Sequence, residues 1–440
     1  MADRRNIISF PHRLPRSPSS HFRQYADLMV RLHDLMREDR DDGLEGDALR
    51  DAMDGPWYKL TEEEVHLVDE LSAQLYELWD RPRRPEPEGP PLSDDQFRKA
   101  WEERDWRRLL ASFPALVKGR PKEQEWNLKA HIWEWVGVPR AAGRFFQESA
   151  RTGGSFEQYF YMNWLIRSGD MAEAEHIAAK LLQLDHVELD HRLHAAIISF
   201  AACIKDTPPS ESGRTLRRFS QLFSSILEAD RASRIHHSLR ALALLNLASI
   251  ADQRGRHDEA RDYLDRARKE GLPEFLYRLS LGISYYLAKQ YVHSCKEFTR
   301  ARATDALGWS RIWLAHALLA QGKTSEAKAQ LHGLLRINAV HKNARVLSST
   351  HQLLAYLEQC SGGAVDIIVE HLEAALEATP GKLHLMTELD RLRSGSVPAG
   401  DMRRPPEGLV KESEPTWGEV SEMMMSGAGI HSIPWERPAA

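Results

Sequence analysis

Cysteine is scarce in these 440 residues: Cys203, Cys295 and Cys360 stand far apart, odd in number and without a CxxC pair. That spacing excludes a disulfide framework and a zinc ribbon and suits a reducing compartment, so a cytoplasmic location is expected. Long apolar runs are missing too, and nothing approaches the ~20 residues a membrane span needs. The opening "MADRRNIISFPHRLPRSPSS" has Arg4-Arg5 with no apolar stretch behind them, so neither a secretory leader nor a membrane partner is expected. Charge of one sign is lacking as well. The 59 Lys and Arg nearly balance 64 Asp and Glu, and the net −5 leaves no footprint for nucleic acid.

Proline is absent from most of the interior and crowded elsewhere, which divides the chain. Residues 1–20 hold three of the 22 prolines, 82–91 hold five and 398–438 hold six, against seven in 92–392. The expected organisation is therefore a disordered basic tail at 1–24, a helical segment at 25–80 and a stiff linker at 81–92. A long helical body at 93–392 and a disordered tail at 393–440 complete it. In the 25–80 segment, one helix is expected over about Tyr25–Glu38 and another from Thr61 as N-cap, with Glu64 completing a capping box, to about Leu78. The intervening "EDRDDGLEGDALRDAMD" fails as a calcium loop. With Gly43 at the sixth position, the third is Arg40 and the twelfth is Leu49, where a bidentate Glu is required. An acidic surface segment with a short helix is the expectation.

What the body does have is a repeat. Leu247, Ala248, Ala260, Leu264 and Ala267 are matched 34 residues on by Leu281, Gly282, Ser294, Phe298 and Ala301. Leu314, Ala315, Ala327 and Leu331 follow after another 33, in a chain rich in Ala, Leu, Arg, Glu and Gln. Two helices per period, with small residues where they approach and large ones filling the gap, is a solenoid pattern. On these residues the chain resembles the tetratricopeptide repeat (TPR) family, best at 241–274, 275–307 and 308–341. Weaker units fit at 155–188 and at 123–154, and about 92–121 supplies Phe97, Ala100, Trp106, Leu109 and Phe113. Helix pairs are also expected at 189–229, with a turn lengthened by "KDTPPSESG", and at 343–380. The fold expected is all-α, a right-handed α-solenoid of TPR-like hairpins.

Several stretches look chemical. "QLDHVELDHRLH" (183–194) packs Asp185, His186, His191 and His194 together, and a metal site there is the alternative to a polar junction between repeats, where histidines cap helices or face solvent. "QGKTSEA" has the Gly-Lys-Thr of a phosphate loop, but Ala317 stands where the first glycine belongs and a helix precedes it. "TGGS" (152–155) reads as a turn ending in a Ser N-cap. Six of the twelve tryptophans lie between Trp101 and Trp164 without a dense basic stripe, so RNA binding is the other alternative and nucleic acid is not expected. With no GxSxG and no base assigned to any Cys, no catalytic residue, cofactor or metal is assigned, and an enzyme is not expected.

The resemblance implies that the first helices of successive units line a concave groove for a peptide or partner helix. Mapped onto this chain, its groove positions are Asn127, His131, Glu134 and Trp135, then Tyr159, Asn163 and Arg167, then Ser249 and Gln253, then Tyr286, then Ile312 and His316. The basic clamp by which some members hold a C-terminal carboxylate is lacking, since those positions read Leu245, Ser249, Trp309 and Trp313. One or more protein or peptide partners are expected, held by a non-catalytic scaffold. Trp417, Met424 within Met423–Met425, and Trp435 put large apolar groups in the C-terminal tail, which is expected to dock in this groove or on another molecule.

Overall fold

The computed structural model describes residues 18–78, 93, 96, 99, 120–206, 212–230, 235–303, 305, 308–337 and 343–394, without the side chains of Trp135 and residues 204–206. Among the described residues there are eighteen α-helices and no strand. The all-α solenoid expected from the repeat is the architecture found, built of consecutive helical hairpins. No described helix is long and apolar enough to cross a membrane. The chain divides into two compact units between His191 and Arg192, within the first turn of α8.

In the first unit, α1 (Ser20–Arg37) begins five residues before the expected start. The Ser19 hydroxyl accepts from Phe22 N at 3.1 Å, and Phe22 and Ala26 are fully buried below that cap. The acidic segment forms α2 (Leu44–Trp57), whose Leu49 packs on Leu28 and Leu35 of α1. The capping box opens α3 (Glu62–Glu77) as expected, and Glu64 does more than close it. One carboxylate oxygen accepts from Thr61 N at 3.0 Å and the other from Ser19 N at 2.7 Å, tying two helix starts together. Burial alone pushes the Glu64 carboxyl up, but these N–H donors outweigh it and hold it below the usual carboxylate range.

The hairpins of this unit are α4 (Lys122–Val136) with α5 (Pro139–Thr152), then α6 (Ser155–Ser168) with α7 (Met171–Gln183). Gly137 and Gly169 end α4 and α6 at φ 90° and 85°, a backbone state that a Cβ disfavours. The repeat residues proposed at 92–121 lie outside the described residues. A buried cation fastens α3 to α4: the Lys129 side chain is fully enclosed, 2.8 Å from Glu77 and 2.7 Å from Glu125, with its ammonium over the Trp126 ring. Burial pushes the Glu77 carboxyl up, but Lys129 and Lys122 overcome this and hold it low. Beside them, Trp133 Nε1 donates to Gln74 Oε1 at 2.8 Å, and Arg140 and Arg144 of α5 pair with Asp27 and Asp34 of α1.

The second unit carries the rest of α8 (Leu189–Asp206) and α9 (Ser212–Ala229), where Phe200 packs against Phe219 and Phe223. Residues 207–211 of the lengthened turn lie outside the described residues. Then come α10 (His237–Gln253) and α11 (His257–Lys269), α12 (Glu274–Leu287) and α13 (Tyr291–Ala301), and α14 (Trp309–Ala320) and α15 (Thr324–Leu335). The pair α16 (Ala344–Ser361) and α17 (Val365–Ala378) follows, closed by α18 (Leu383–Arg393). Leu385, Leu389 and Leu392 of α18 seal the core of the last pair, and Glu388 holds Gln359 at 2.7 Å.

The repeat residues pack as their sizes dictate. Leu264, Phe298 and Leu331 are fully buried, and so are Ala260 and Ala327. At Gly282 the approach is closest: a Cβ there would stand 2.5 Å from the Phe298 ring. At the aligned positions the flanking repeats have Ala248 with the smaller Leu264 and Ala315 with Leu331. The hairpin turns share a left-handed residue, Gly255 at φ 72° and Gly322 at φ 73°, but the middle repeat puts Lys289 there at φ 59°.

Two measurements of chemical denaturation test this packing. Gly282→Ala is expected to cost about 1–3 kcal/mol, and Gly282→Ala with Phe298→Leu is expected to recover most of it, a coupling that independent sites would not show. Lys129→Ala removes the enclosed partner of Glu77 and Glu125, which keep Lys122, and is expected to cost about 3 kcal/mol.

Candidate binding surface

Within the first unit, the groove positions of α4 and α6 fall four residues apart on one face of each helix. The His131 ring sits edge-on between Phe146 and Phe160, with ring centres at 4.9 and 5.1 Å. Burial, with the Arg167 guanidinium adding to it, lowers its pKa to about 3. Arg167 itself forks onto Glu134, Nε to Oε1 at 2.9 Å and Nη2 to Oε2 at 2.8 Å, so its charge is already matched from the neighbouring repeat. Tyr159 lies buried with its ring stacked on His191 at 3.7 Å, and burial raises its hydroxyl pKa. Asn163 donates to Tyr159 O at 3.0 Å. Asn127 is 7% exposed, and its Nδ2 has no hydrogen-bond partner. The Trp135 side chain lies outside the described residues.

Within the second unit, Ser249 is buried and donates back to Leu245 O at 3.1 Å. Gln253 ends α10 with its Nε2 buried and without a partner. Tyr286 meets Trp313 edge-on at 5.4 Å; Trp313 stacks on Phe298 at 6.0 Å and lies 6.1 Å from His316. Ile312 and His316 are buried, and the Trp313 Nε1 is a third buried donor without an acceptor. Most groove positions are thus inside the packing, and the first helices α4, α10 and α14 bring unmatched buried N–H donors at Asn127, at Arg240 and Gln253, and at Trp313. Trp417, Met424 and Trp435 lie outside the described residues.

Sequence reasoning missed one polar node. Asp252 Oδ1 accepts from the Ser284 hydroxyl at 2.9 Å and lies 2.9 Å from His257 Nδ1, joining α10, α11 and α12. Burial raises the Asp252 carboxyl despite both partners. The residue types are those of a hydrolase, but the serine donates to the carboxylate and not to the histidine, so no nucleophile is activated. Only the spacing of Asp252 and His257 across the turn could have hinted at the clasp.

The histidine-rich stretch is divided by its surroundings. Asp185 and His186 are exposed in the turn, where the His186 carbonyl accepts from the Ser155 hydroxyl at 3.2 Å. His191 is buried against Tyr159, neither a helix cap nor solvent-facing, and His194 is also buried. Ligand-capable atoms of Glu188, Asp190 and His191 lie within 4.8 Å of one another. In "TGGS" the N-cap is Gly154 and not Ser155; the Glu157 carboxylate takes its N–H at 2.9 Å. "QGKTSEA" is the turn between α14 and α15, as expected.

No protein-family model matches the sequence, and no curated protein matches it. Among solved structures the chain is similar to a tetratricopeptide repeat protein from Parabacteroides merdae, at 14% identity and TM-score 0.46, covering 62% of this chain and 98% of that one. It is also similar to the C-terminal part of a TPR repeat-containing protein from Cytophaga hutchinsonii, at 15% identity and TM-score 0.30, covering 67% and 98%. A third likeness is the human IFIT1 dimer with PPP-AAAA, at 13% identity and TM-score 0.37, covering 93% and 96%. What makes this chain TPR-like is its own repeat, two helices every 33 or 34 residues meeting at matched small and large residues.

The buried imidazole sets a pH dependence. His131 takes up a proton near 6.5 in the unfolded chain and only near 3 in the folded one. Its contribution is therefore whole above pH 6.5 and is lost as pH falls through that window. Between pH 7 and 5 the loss is about 2 kcal/mol, and urea midpoints of His131→Gln are expected to fall less steeply with acid than those of the native chain.

Proposed function

We propose that this chain is a non-catalytic scaffold that holds a peptide or a partner helix along the first helices of its repeats. The observation that carries this reading is a pair of unmatched buried donors on first helices of the second unit, Gln253 Nε2 and Trp313 Nε1, with Asn127 Nδ2 a donor of the same kind within the first unit. A buried N–H without an acceptor costs about 1–3 kcal/mol, a loss that a fold keeps where the acceptor arrives with a ligand. Peptide carbonyls are the commonest acceptors available, and Tyr286 beside Trp313 supplies aromatic surface for side chains between them.

The reading predicts opposite effects on stability and binding. A peptide selected on the full chain should lose about three- to tenfold affinity, by calorimetry, when Gln253→Met removes a donor of the second unit, and a peptide held by the first unit should lose as much with Asn127→Leu. The same substitutions should leave stability unchanged or raise it. Equal affinity for all forms, or retention only of nucleic acid released by salt, would sink the reading.

A metal-dependent role has the proximity of Glu188, Asp190 and His191 in its favour. Stoichiometric metal in the purified chain, lost on His191→Ala, would establish it in place of the scaffold.

A further inference from the structure

The first and second helices of the second unit are buried in different ways. Of α11 only Ala260, Leu264 and Ala267 are buried, and of α15 only Ala327, Leu331 and Leu334, one stripe each. By contrast α10 is buried from Leu239 to Asp252 except for Arg240, and α14 from Trp309 to Leu318 except for Arg311. Runs of that length point in every direction around a helix axis. Ala248, Gly282 and Ala315 are the repeat's close-approach residues, and at Gly282 that approach is to Phe298 of the second helix. Roughly a quarter turn away lie Leu245, Ser249, Leu279, Ile283, Ile312 and His316. All six are exposed by 6% or less. That side is turned about a quarter turn from the contact with the second helices, and in a two-layer array any part of it that neighbouring first helices do not cover is open to solvent unless something lies on it.

The chain itself supplies an occupant. α18 ends in this unit, and 46 residues follow Ser394. Trp417 stands 23 residues beyond Ser394, a reach of up to about 75 Å when extended. The first helices from α16 back to α10 are spaced by about 10 Å each, so the reach is ample. Between Glu412 and Met425 the segment carries Trp417, Met423, Met424 and Met425, with four Glu and no Lys or Arg. Unbranched methionine suits an irregular apolar surface such as Leu245, Leu279, Ile283 and Ile312 present.

We propose that the segment around Trp417 and Met423–Met425 lies along this face of α10, α12 and α14, as an intramolecular occupant of the binding surface. The proposal rests on the groove reading above and adds its regulation: an incoming peptide binds by displacing the tail. The unmatched donors of Gln253 and Trp313 favour that exchange, because a ligand that satisfies them gains hydrogen bonds the resting state lacks.

Two measurements on the full chain test it. Hydroxyl-radical footprinting compares Met423–Met425 with Met386, which is 46% exposed on α18 and serves as an internal standard. Slower oxidation of Met423–Met425 than of Met386 is expected; equal or faster oxidation overturns the proposal. A labelled peptide of residues 408–430 is then titrated onto the native chain and onto Trp417→Ala/Met424→Ser. A tethered competitor acts at roughly millimolar effective concentration, so the variant is expected to bind about tenfold or more tightly than the native chain. Equal affinities overturn the proposal, as does concentration-dependent dimerisation of the native chain that the variant lacks, which would make a second copy the occupant. If the selected peptide of the preceding section still binds in a Gln253-dependent way, the groove reading survives that failure; if it does not, both fall.

Discussion

In three successive repeats of this chain the first helix offers little bulk where the second approaches it. That constraint repeats at Ala248, Gly282 and Ala315, and the partner side chain grows or shrinks to match. Phe298 is accommodated by a glycine that costs its helix about 1 kcal/mol relative to alanine; leucines elsewhere are accommodated by alanine. Because the contact is between adjacent elements, the stability of the array is a sum of neighbouring terms. The polar groups follow the same logic: Asp252 with Ser284 and His257, and Arg167 with Glu134, each tie one repeat to the next.

Short-range features were legible in the sequence for this reason. The period, the small and large positions, the Thr61–Glu64 capping box and the glycine turns all depend on residues within one hairpin or its neighbour. What was not legible depends on distance along the chain. Nothing in "KEQEWNLKAHIW" says that Lys129 will be enclosed by Glu77, or that Trp133 will find Gln74, because those pairs join segments 52 and 59 residues apart. A lysine in a helical pattern reads as solvent-facing, and only the packing of α3 on α4 overrides that. The start of α1 was missed because a histidine, an arginine and a glutamine around Phe22 mask the first turn; the cap at Ser19 decides it.

The candidate surface was legible as a set of positions but not as an environment. Periodicity placed His131, Tyr159 and Arg167 on one face, yet their surroundings differ sharply. His131 is held neutral between two phenylalanines, Tyr159 is covered by His191, and Arg167 is matched by Glu134. Amides and an indole with no acceptor are visible only once the packing is known. They mark the difference between polar groups that hold the array together and polar groups the array leaves unmatched.

Lys289 gives one repeat a different character from its neighbours. Where Gly255 and Gly322 adopt the left-handed turn freely, Lys289 does so against its Cβ, at about 1–2 kcal/mol. In a one-dimensional array that cost is borne locally, so it lowers the free energy of opening the α12–α13 turn. Amide exchange around Ala288–Gln290 would then be faster than around the glycine turns at Gly255 and Gly322. Of the three turns aligned by the repeat, this one alone carries backbone strain, so a single residue sets how readily that hairpin gives under load.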